Sequence, residues 1–450
     1  MDKEDFSRRT VIALLAAAGV GIVARNLDSP SGELPANMGE KQPPGEDPQA
    51  DTSADTGTPE KVEREVQLED HGGVADGTTD DTDALMSALN AAAPAGTVHL
   101  PSGDILIGSD MSDALLLEHR HRGVTIAGTS PFQTQLKMAA GHNSVHRGIV
   151  ISPSNKDDLT GITIRDLTLN GQGLKQKFNI ANGIEILDAG GAGFPVEIRN
   201  CAIRDWATNG LQIREPGTRI HNCSIFRNGL KQEQTTGRDG HGVAAFITSN
   251  QNQETLIQGS LLAENTGAGA DNKGGNMTIR DCVIDECGYG VKQNDTTNVQ
   301  VIENTRISNL QTEPGVYNIP QDRTGGDLIL NNVFFENATD PAILFPAGGS
   351  ISGDRIVIRN TNTEASQPAA IVVKDEGREF DLDELAIYGT GSGTALHLEN
   401  CTGSIEQLVH DGNPEGVGPL SDVDVDNIRK DDSVTVDVPE SSDVGASGYY

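Results

Sequence analysis

The chain has few of the residues on which several common protein classes depend. Aromatic residues make up 4% of its 450 residues, and cysteine occurs only five times, without a CxxC or His-rich spacing. These absences give no sign of a zinc site, and a chain of this length needs no disulfides to stabilise its core. No stretch is apolar over the ~20 residues that a bilayer-spanning helix needs.

Positive charge is also scarce. Asp and Glu number 66 against 33 Lys and Arg, which gives a formal net charge of -33. A surface of this sign repels nucleic acid and anionic membranes, and no basic run offsets it, so neither is an expected partner. Because the acidity is spread over the whole chain, it predicts adaptation to high salt, where screening removes self-repulsion. The alternative is simple solubility of a secreted acidic protein.

A short phrase recurs along the chain. GITIRDLTLNG, VEIRNCAIRD, RIHNCSIFRNG and MTIRDCVIDECG each place Asn or Asp between two apolar stretches. Aligning the phrases on this polar residue gives Asp166, Asn200, Asn222, Asp281, Asn304, Asn332 and Asn360. Such a repeat, with no crossover helices, predicts an all-β, single-stranded parallel solenoid of about nine or more coils. Asn at a corner adopts a left-handed conformation cheaply, and stacked Asn side chains can hydrogen-bond along the ladder.

A second recurring element is a glycine that opens a short strand. It appears in NGIEIL, NGLQIR, HGVAAF, AGADNK, YGVKQN and PGVYNI, which places the glycines at Gly183, Gly210, Gly242, Gly269, Gly290 and Gly315. Four cysteines directly follow the polar residue of a repeat phrase, namely Cys201, Cys223, Cys282 and Cys401. This shared position predicts inward, buried apolar side chains, although a disulfide between Cys201 and Cys223 stays open.

Composition divides the chain into four segments. Residues 1–25 carry Arg8 and Arg9 before a modest apolar run, which matches a twin-arginine export signal. Residues 26–62 read as a disordered acidic linker, residues 63–420 as the β-helix domain and residues 421–450 as an acidic tail. The expected location is extracellular or at the cell surface, after export of the folded protein.

The segment VQLEDHGGVADGTTDDTDALMSALNAA carries a family resemblance. Asp80 and Asp81 can cap a helix whose apolar residues lie on one face. This order resembles the N-terminal cap of the pectate-lyase-like superfamily, although Ala75 stands where glycine is usual. The resemblance covers residues 66–410 and implies a right-handed parallel β-helix with an N-terminal capping helix. It implies little about activity, since the superfamily includes lyases, hydrolases, epimerases and non-catalytic surface proteins.

Alternation along the glycine-opened strands separates inward from outward side chains. With Ile184 and Ile186 inward, the outward positions after Glu185 are Gln212, Arg214, Phe246, Asp271, Lys273, Lys292, Asn294 and Tyr317. Coils are ~4.8 Å apart, so Asp271 lies about one coil from Lys292. Three cations on one face of a very acidic protein suit an anionic sugar such as a uronate. The alternative is that Asp271 and Lys292 form a surface ion pair of little weight.

The Gly-His-Gly phrase at His241 resembles one in polygalacturonase-type hydrolases. Lys273 matches the lysine of that family in register, but Asp271 stands where arginine is expected. The family's catalytic carboxylates are replaced by Asn182 and Asn209, which cannot act as general acid or base. Glu185 and Asp271 are three coil steps or ~14 Å apart, too far for an inverting pair. Hydrolysis is therefore not expected, and His241 can also be a packed turn residue.

A lyase needs only a base and a cation that neutralises the uronate carboxylate. We predict a polysaccharide lyase with candidate catalytic residues Lys273, Lys292, His241 and Arg214. Predicted substrate-binding residues are Asp271, Gln212, Phe246, Asn294 and Tyr317. No cofactor is required, but calcium is an alternative, for which Asp271, Asp295 and Glu185 offer oxygen ligands.

The competing hypothesis is a non-catalytic cell-surface module that binds glycan or serves a structural role. The missing carboxylates and the long acidic spacer favour it, because the spacer would hold the solenoid away from the cell. The expected partner is an anionic polysaccharide, whereas the competing module would bind a glycan or a neighbouring envelope protein. The protein is expected to be a monomer or a homo-oligomer.

Overall fold

The computed structural model describes a single continuous stack of β-coils. It covers residues 64–109, 113–142, 145–152, 161–176, 181–188, 195–229, 240–247, 253–294, 299–319, 326–346, 348–362, 367–390, 394–410, 423–430, 438–440 and 443–446. The predicted export signal and acidic linker lie outside the described residues. No helix in the described part of the chain is long and apolar enough to cross a membrane.

The described residues contain 31 strands, numbered in chain order. Those before residue 200 are β1 (Glu65–Gln67), β2 (Asp76–Asp80), β3 (Thr97–His99), β4 (Gly103–Ile107), β5 (Asp113–Glu118), β6 (Thr125–Ala127), β7 (Thr134–Met138), β8 (His146–Ser152), β9 (Ile162–Arg165), β10 (Thr168–Asn170), β11 (Ala181–Ile186) and β12 (Val196–Arg199). The next are β13 (Ala202–Arg204), β14 (Leu211–Ile213), β15 (Arg219–His221), β16 (Ser224–Phe226), β17 (Val243–Ala245), β18 (Glu254–Gln258), β19 (Leu261–Ala263), β20 (Ala268–Asn272), β21 (Asn276–Arg280), β22 (Val283–Asp285) and β23 (Tyr289–Asn294). The last are β24 (Gln300–Ser308), β25 (Val316–Ile319), β26 (Leu328–Glu336), β27 (Ile343–Phe345), β28 (Ile351–Arg359), β29 (Ala369–Tyr388), β30 (Thr394–His410) and β31 (Val423–Lys430).

The strands pair in parallel along three faces. The first face begins β1, β3, β6, β9, the second begins β2, β4, β7, β10, and the third runs β5, β8, β11, β14, β17, β20, β23, β25, β27. From β24 onward, single long strands continue from the first face into the second. Inward Ile, Leu and Val side chains from all three faces form one core along the axis. The prediction of an all-β parallel β-helix is confirmed.

Helix α1 (Thr82–Ala92) lies where the sequence predicts it and packs on β1, β3 and β5. Its face of Leu85, Ala88, Leu89 and Ala92 is buried. The predicted capping differs in detail. Asp80 accepts a hydrogen bond from the Thr82 N–H at 2.9 Å, whereas Asp81 accepts from the Val74 and Ala75 N–H groups and so fixes the preceding turn.

The corner between the first and second faces is a ladder of left-handed residues. All of the aligned Asp and Asn residues have φ between 45° and 59°. Asn200 donates to Asp166 at 2.6 Å, Asn304 donates to Asp281 at 3.1 Å, and Asn332 donates to Asn304 at 3.0 Å. The predicted conformation and stacking of these corner residues are therefore confirmed.

A second ladder follows the second face, and it explains one wrong alignment. Asn360 donates to Asn337, and Asn337 donates to Asn309, so Asn360 belongs to this second corner. The first-corner position after Asn332 is occupied by Arg355, with φ 50°. In the phrase RIVIRNTNTEA, which begins at Arg355, the first-corner residue is this arginine. The Asn used for the alignment, Asn360, follows the next strand segment, so the alignment placed it at the wrong corner.

Asn304 offers a test of the ladder. Asn304→Ala should lower the free energy of unfolding by about 2–3 kcal/mol, because it places a Cβ residue in the left-handed region and removes two side-chain hydrogen bonds. Asn304→Gly removes the same hydrogen bonds but relieves the backbone, so it should cost about 1–2 kcal/mol. Urea unfolding of both variants gives the comparison, and equal losses would contradict a backbone contribution.

The predicted glycines stack into a column that opens the third-face strands. A Cβ added to Gly183, Gly210, Gly242 or Gly269 would lie 2.5–3.1 Å from the carbonyl oxygen of the next glycine in the column. These coils therefore approach too closely for any side chain at this corner. The column ends at Ala342, which faces Gly315.

Gly242→Ala tests the need for this close approach. The added methyl would lie 2.7 Å from the Gly269 carbonyl oxygen and 2.9 Å from Asn265 Nδ2, and Asn265 is buried. The first atom is backbone, and the second belongs to a buried side chain that donates a hydrogen bond to the Ile225 carbonyl oxygen, so neither moves easily. We therefore expect a loss of about 1–3 kcal/mol in unfolding free energy. Thermal unfolding checks this, and an unchanged midpoint would show that the coils can separate.

The cysteines behave as small core residues. All five are completely buried and carry free thiols. Burial raises the pKa of Cys282 and Cys287 to about 12 and raises that of Cys201 well above its ordinary range. These three thiols are therefore protonated and unreactive in the folded protein. The burial of all five cysteines agrees with the prediction of small apolar core residues.

Parts of the predicted C-terminal tail are packed on the solenoid instead. Strand β31 adds to β30, and Ala446 donates a backbone hydrogen bond to Ser224 Oγ at 3.0 Å. The side chain of Val444 covers an apolar patch on the second face formed by Ala202, Phe226, Leu261, Ala263 and Val283. We name residues 438–446, as far as they are described, the returning segment.

Candidate functional site

The third face carries one column of outward side chains in strict register. Glu185 pairs with Gln212, Gln212 with Ala244, Ala244 with Asp271, Asp271 with Lys292, and Lys292 with Tyr317. A second column beside it contains Arg214, Phe246 and Lys273, whose backbone N–H groups each donate a hydrogen bond to the preceding coil. We call the two columns, together with the side chains that contact them, the strip. The register inferred from the sequence is thus the observed one, and all of the predicted site residues lie on this strip.

Asp271 is the centre of the more C-terminal part of the strip. The residue is completely buried, although its side chain points outward from the solenoid. Its Oδ2 atom lies 3.0 Å from His241 Nε2 and 3.0 Å from Lys273 Nζ, and its Oδ1 accepts from Asn294 Nδ2 at 2.7 Å. The interpretation of Asp271 and Lys292 as an exposed ion pair is wrong, because neighbouring coils cover the carboxylate.

The ionisation of Asp271 follows from these contacts. Burial alone raises the pKa of its carboxyl group, but the hydrogen bond and charge of His241 and the charges of Lys273 and Lys292 outweigh burial. The net result is a pKa lowered to about 2. Asp271 is therefore a carboxylate at neutral pH, so it cannot serve as a general acid there, and its low pKa makes it a weak general base.

His241 is held at both ring nitrogens. Nδ1 accepts the Ala268 backbone N–H at 2.9 Å, so the ring hydrogen of the neutral form lies on Nε2, which faces Asp271. The imidazole is buried, and its backbone N–H donates to Asn209 Oδ1 at 3.1 Å. The next residue, Gly242, lies against the adjacent coil so closely that an added Cβ would be 2.7 Å from the Gly269 carbonyl oxygen.

The cations of the strip lie over aromatic rings. Lys273 Nζ is 4.6 Å from the centroid of the Phe246 ring, and Arg214 Cζ is 5.3 Å from the same centroid. Lys292 Nζ lies 4.7 Å from the centroid of Tyr289, whose ring is stacked on Tyr317 at 5.8 Å. Cation–π contacts of this kind orient ammonium and guanidinium groups on a partly exposed face.

A second polar cluster surrounds Glu185 on the more N-terminal coils. Glu185 is 5% exposed and accepts from Gln212 Nε2 at 3.0 Å and from Asn182 Nδ2 at 3.2 Å. The guanidinium groups of Arg147 and Arg214 approach it at 3.4 and 3.6 Å. The predicted residues Gln212 and Arg214 therefore belong to this cluster and not to the group around Asp271.

The sequence reasoning missed Arg147 and Tyr289 as members of the strip. Arg147 precedes the first recognisable repeat phrase, so no alignment placed it opposite Asn182. Tyr289 opens strand β23 one residue before the glycine that set the phase, so alternation counted forward from that glycine did not include it. The available signal was the tyrosine of the phrase YGVKQN, which lies three residues before Lys292 on the same strand.

The carboxylates of the strip do not assemble a metal cage. The described residues contain no group of three or more His, Cys, Asp or Glu side chains that could hold a metal ion. Glu185 and Asp271 are three coils apart, and the contacts of each go to amides and cations. Asp295, the third proposed calcium ligand, lies outside the described residues. The calcium alternative therefore stays a prediction, and we derive no chemistry from it.

The three-sided parallel β-helix and the cationic polar strip along one face define a protein of the pectate-lyase-like class. The chain belongs to the family described as rhamnogalacturonase A/epimerase, pectate lyase-like, whose family model matches residues 65–317.

Curated relatives come from Azotobacter vinelandii. The chain is 37% identical to alginate lyase 7 over 111 residues, which is 24% of this chain and 13% of that protein. It is 32% identical to mannuronan C5-epimerase AlgE6 over 181 residues, covering 39% of this chain and 18% of the relative. The chain thus spans less than a quarter of the length of these relatives.

Solved structures agree on the fold. The A-module of mannuronan C-5 epimerase AlgE6 from Azotobacter vinelandii aligns with 82% of this chain and 100% of its own length. The TM-score is 0.55 and the sequence identity is 16%. At this identity the likeness establishes the parallel β-helix and leaves the activity to be argued from the site.

Proposed function

We propose that this protein removes the C5 proton of a uronate residue in an anionic polysaccharide and cleaves the chain by β-elimination. The main supporting observation is the buried Asp271 carboxylate, which holds Lys273 and His241 beside Lys292 on one face. The family and the names of the relatives support the substrate class, since alginate and mannuronan are polyuronates.

The lysines supply the two requirements of proton removal next to a carboxylate. Lys273 is one-third exposed and anchored by Asp271, so its remaining N–H groups can bind and neutralise the substrate carboxylate. Lys292, one coil further along, takes the C5 proton, a step for which its amine must first have released its own proton to solvent. As the C5–H bond breaks, a C4–C5 double bond forms and the C4–O4 bond to the leaving sugar breaks.

Tyr317 follows Lys292 in register on the next coil. Burial and the nearby negative charge of Glu313 raise the pKa of its phenol, while the charge of Lys292 opposes them. The phenol keeps its proton at neutral pH, so we assign Tyr317 to donate that proton to the departing O4 oxygen. The proton taken by Lys292 then restores the phenol.

We assign His241 a positioning role. Both ring nitrogens already have partners, and the imidazole is buried, so it fixes the Asp271 carboxylate instead of meeting the substrate. Asp271 in turn orients Lys273. His241 therefore acts on the reaction through two other side chains.

C5 epimerisation is the second candidate, favoured by the several mannuronan C5-epimerases among the curated relatives. It shares the first step and differs in the second, because the proton returns to C5 from the opposite side and the C4–O4 bond stays intact. Elimination leaves a C4–C5 double bond and shortens the chain. Epimerisation leaves a solvent-derived hydrogen at C5 and keeps the chain length.

The test is incubation of the protein in high-salt D₂O with polymannuronate, alginate and polygalacturonate. Elimination gives ultraviolet absorbance from unsaturated uronate ends together with chain shortening. Epimerisation gives deuterium at C5, seen by NMR, without chain shortening. Neither signal on any polyuronate would overturn the proposed catalysis and favour the non-catalytic glycan-binding module.

We also propose that the protein works outside the cytoplasm, after folded export directed by Arg8 and Arg9. The support is the sequence of residues 1–25 alone. Replacement of both arginines by lysine should retain the protein inside the cell, and unchanged export of that variant would contradict the twin-arginine route.

A further inference from the structure

The Glu185 cluster is a polar network for which the proposed reaction has no use. Glu185 lies three coil steps from Asp271, which is ~14 Å along the axis. Asn182, Asn209 and Gln212 are each at least nine-tenths buried around it and bond to one another or to its carboxylate. This distance keeps Glu185 outside the reach of a sugar bound at Lys273 and Lys292.

The fold does not require polar side chains at these positions. The same outward column holds Val150 one coil before Glu185, Ala244 one coil after Gln212, and Leu344 after Tyr317. Apolar residues of different sizes therefore satisfy the packing of this face. Burying a carboxylate and three amides is costly unless they are fully bonded, so their presence here points to recognition of a ligand.

Arg214 connects the Glu185 cluster to the group around Asp271. Its guanidinium group is 42% exposed, contacts Glu185 on one side and lies over Phe246. Lys273 lies over the same ring, so the two cations stand two coils apart with one aromatic side chain between them. Two coils correspond to ~9.6 Å along the axis.

An extended polyuronate matches this spacing. Each coil advances ~4.8 Å, which is close to the length of one sugar residue in an extended chain. Where successive residues are flipped by half a turn, carboxylates on one side recur at every second residue. Cations on alternate coils then meet carboxylates on alternate sugars.

We propose that Arg214, with Glu185, Gln212 and Asn182, forms an anchoring subsite for a uronate two residues away from the reacting one. Arg214 binds its carboxylate, and the amides and Glu185 bind its hydroxyl groups. This inference rests on the proposed function for its substrate class. It adds that the chain runs along the solenoid axis toward the N-terminal coils, and that affinity depends on chain length.

Isothermal titration calorimetry with oligomannuronates of two, four and six residues tests the subsite. In the wild type, Kd should fall about tenfold or more between the disaccharide and the tetrasaccharide, as the chain reaches Arg214. In Arg214→Gln this gain should disappear, so that the loss of affinity grows with chain length.

Arg280→Gln is the matched control, because Arg280 is 43% exposed and paired with Glu303 on the first face. It should keep the wild-type length dependence. The same length dependence in wild type and Arg214→Gln would overturn the subsite alone. Absence of binding for every oligomer, including galacturonates, would overturn the proposed substrate class and this inference with it.

Discussion

Lys292→Ala is expected to slow C5 proton removal by about 10²–10⁴-fold, because it deletes the group that we assign as the base. Lys273→Ala should abolish turnover as well, since the substrate carboxylate then loses its neutralising cation and the developing negative charge is no longer stabilised. Lys273 is one-third exposed and Lys292 only 7% exposed, so both variants should lose some unfolding free energy through the buried Asp271 carboxylate, and the folded fraction of each is checked before its rate is compared. The measurements are the initial rate of absorbance increase and deuterium uptake at C5.

Lys137→Ala is the matched control for these variants. Lys137 is also a partly buried lysine, 3.2 Å from the carboxylate of Asp104, but it lies on the second face. Its replacement should leave the rate at the wild-type level. Full activity in both Lys273→Ala and Lys292→Ala would refute the proposed catalytic assignment, and circular dichroism of each variant shows whether a lost rate reflects lost structure.

Asp271→Ala is expected to cost about 3–5 kcal/mol of unfolding free energy, the range seen when one partner of a buried ion pair is removed. The residue is completely buried, and its removal leaves Lys273 and the His241 Nε2–H without their acceptor. Urea unfolding in high salt provides the measurement. Asp104→Ala, at a 42% exposed carboxylate paired with Lys137, should cost about 1 kcal/mol or less. Equal losses would mean that the buried pair contributes no more than a surface pair.

The same residue predicts a pH dependence. Because the folded-state pKa of Asp271 is lowered to about 2 from an ordinary value of 3.8, its ionised form stabilises the folded protein. That contribution is complete above about pH 5 and disappears as the pH falls through about 2. The difference in unfolding free energy between wild type and Asp271→Asn should therefore shrink as the pH falls from about 4 through about 2. A constant difference down to pH 2 would contradict the lowered pKa.

The register of the strip could be predicted because two independent signals mark it. Alternation distinguishes inward from outward residues, and the glycine before each strand sets the phase. A glycine column that tolerates no side chain preserves that phase from Gly183 to Gly315, so Asp271 and Lys292 could be paired without coordinates. Asn360 was assigned to the wrong corner because the first corner of that coil is occupied by Arg355, and an arginine does not indicate a left-handed corner residue in the sequence.

The burial of Asp271 could not be predicted in the same way. Alternation assigns it an outward direction, and on an isolated sheet an outward carboxylate is exposed. Its cover comes from His241, Lys273 and Asn294, which are on different coils and meet only when stacked. The packing of the returning segment was equally hidden, because Val438 and Val444 are isolated apolar residues in an acidic stretch.

The returning segment has a consequence for the order in which the protein matures. Stacked coils contact mainly their neighbours, so a solenoid of this kind can form progressively while it is being synthesised. The hydrogen bond from Ala446 to Ser224 joins residues 222 positions apart. The apolar patch around Phe226 and Leu261 therefore stays uncovered until Val444 has been made, which is 183 residues after Leu261. During that interval the nascent chain exposes an apolar surface that Val444 covers in the folded protein.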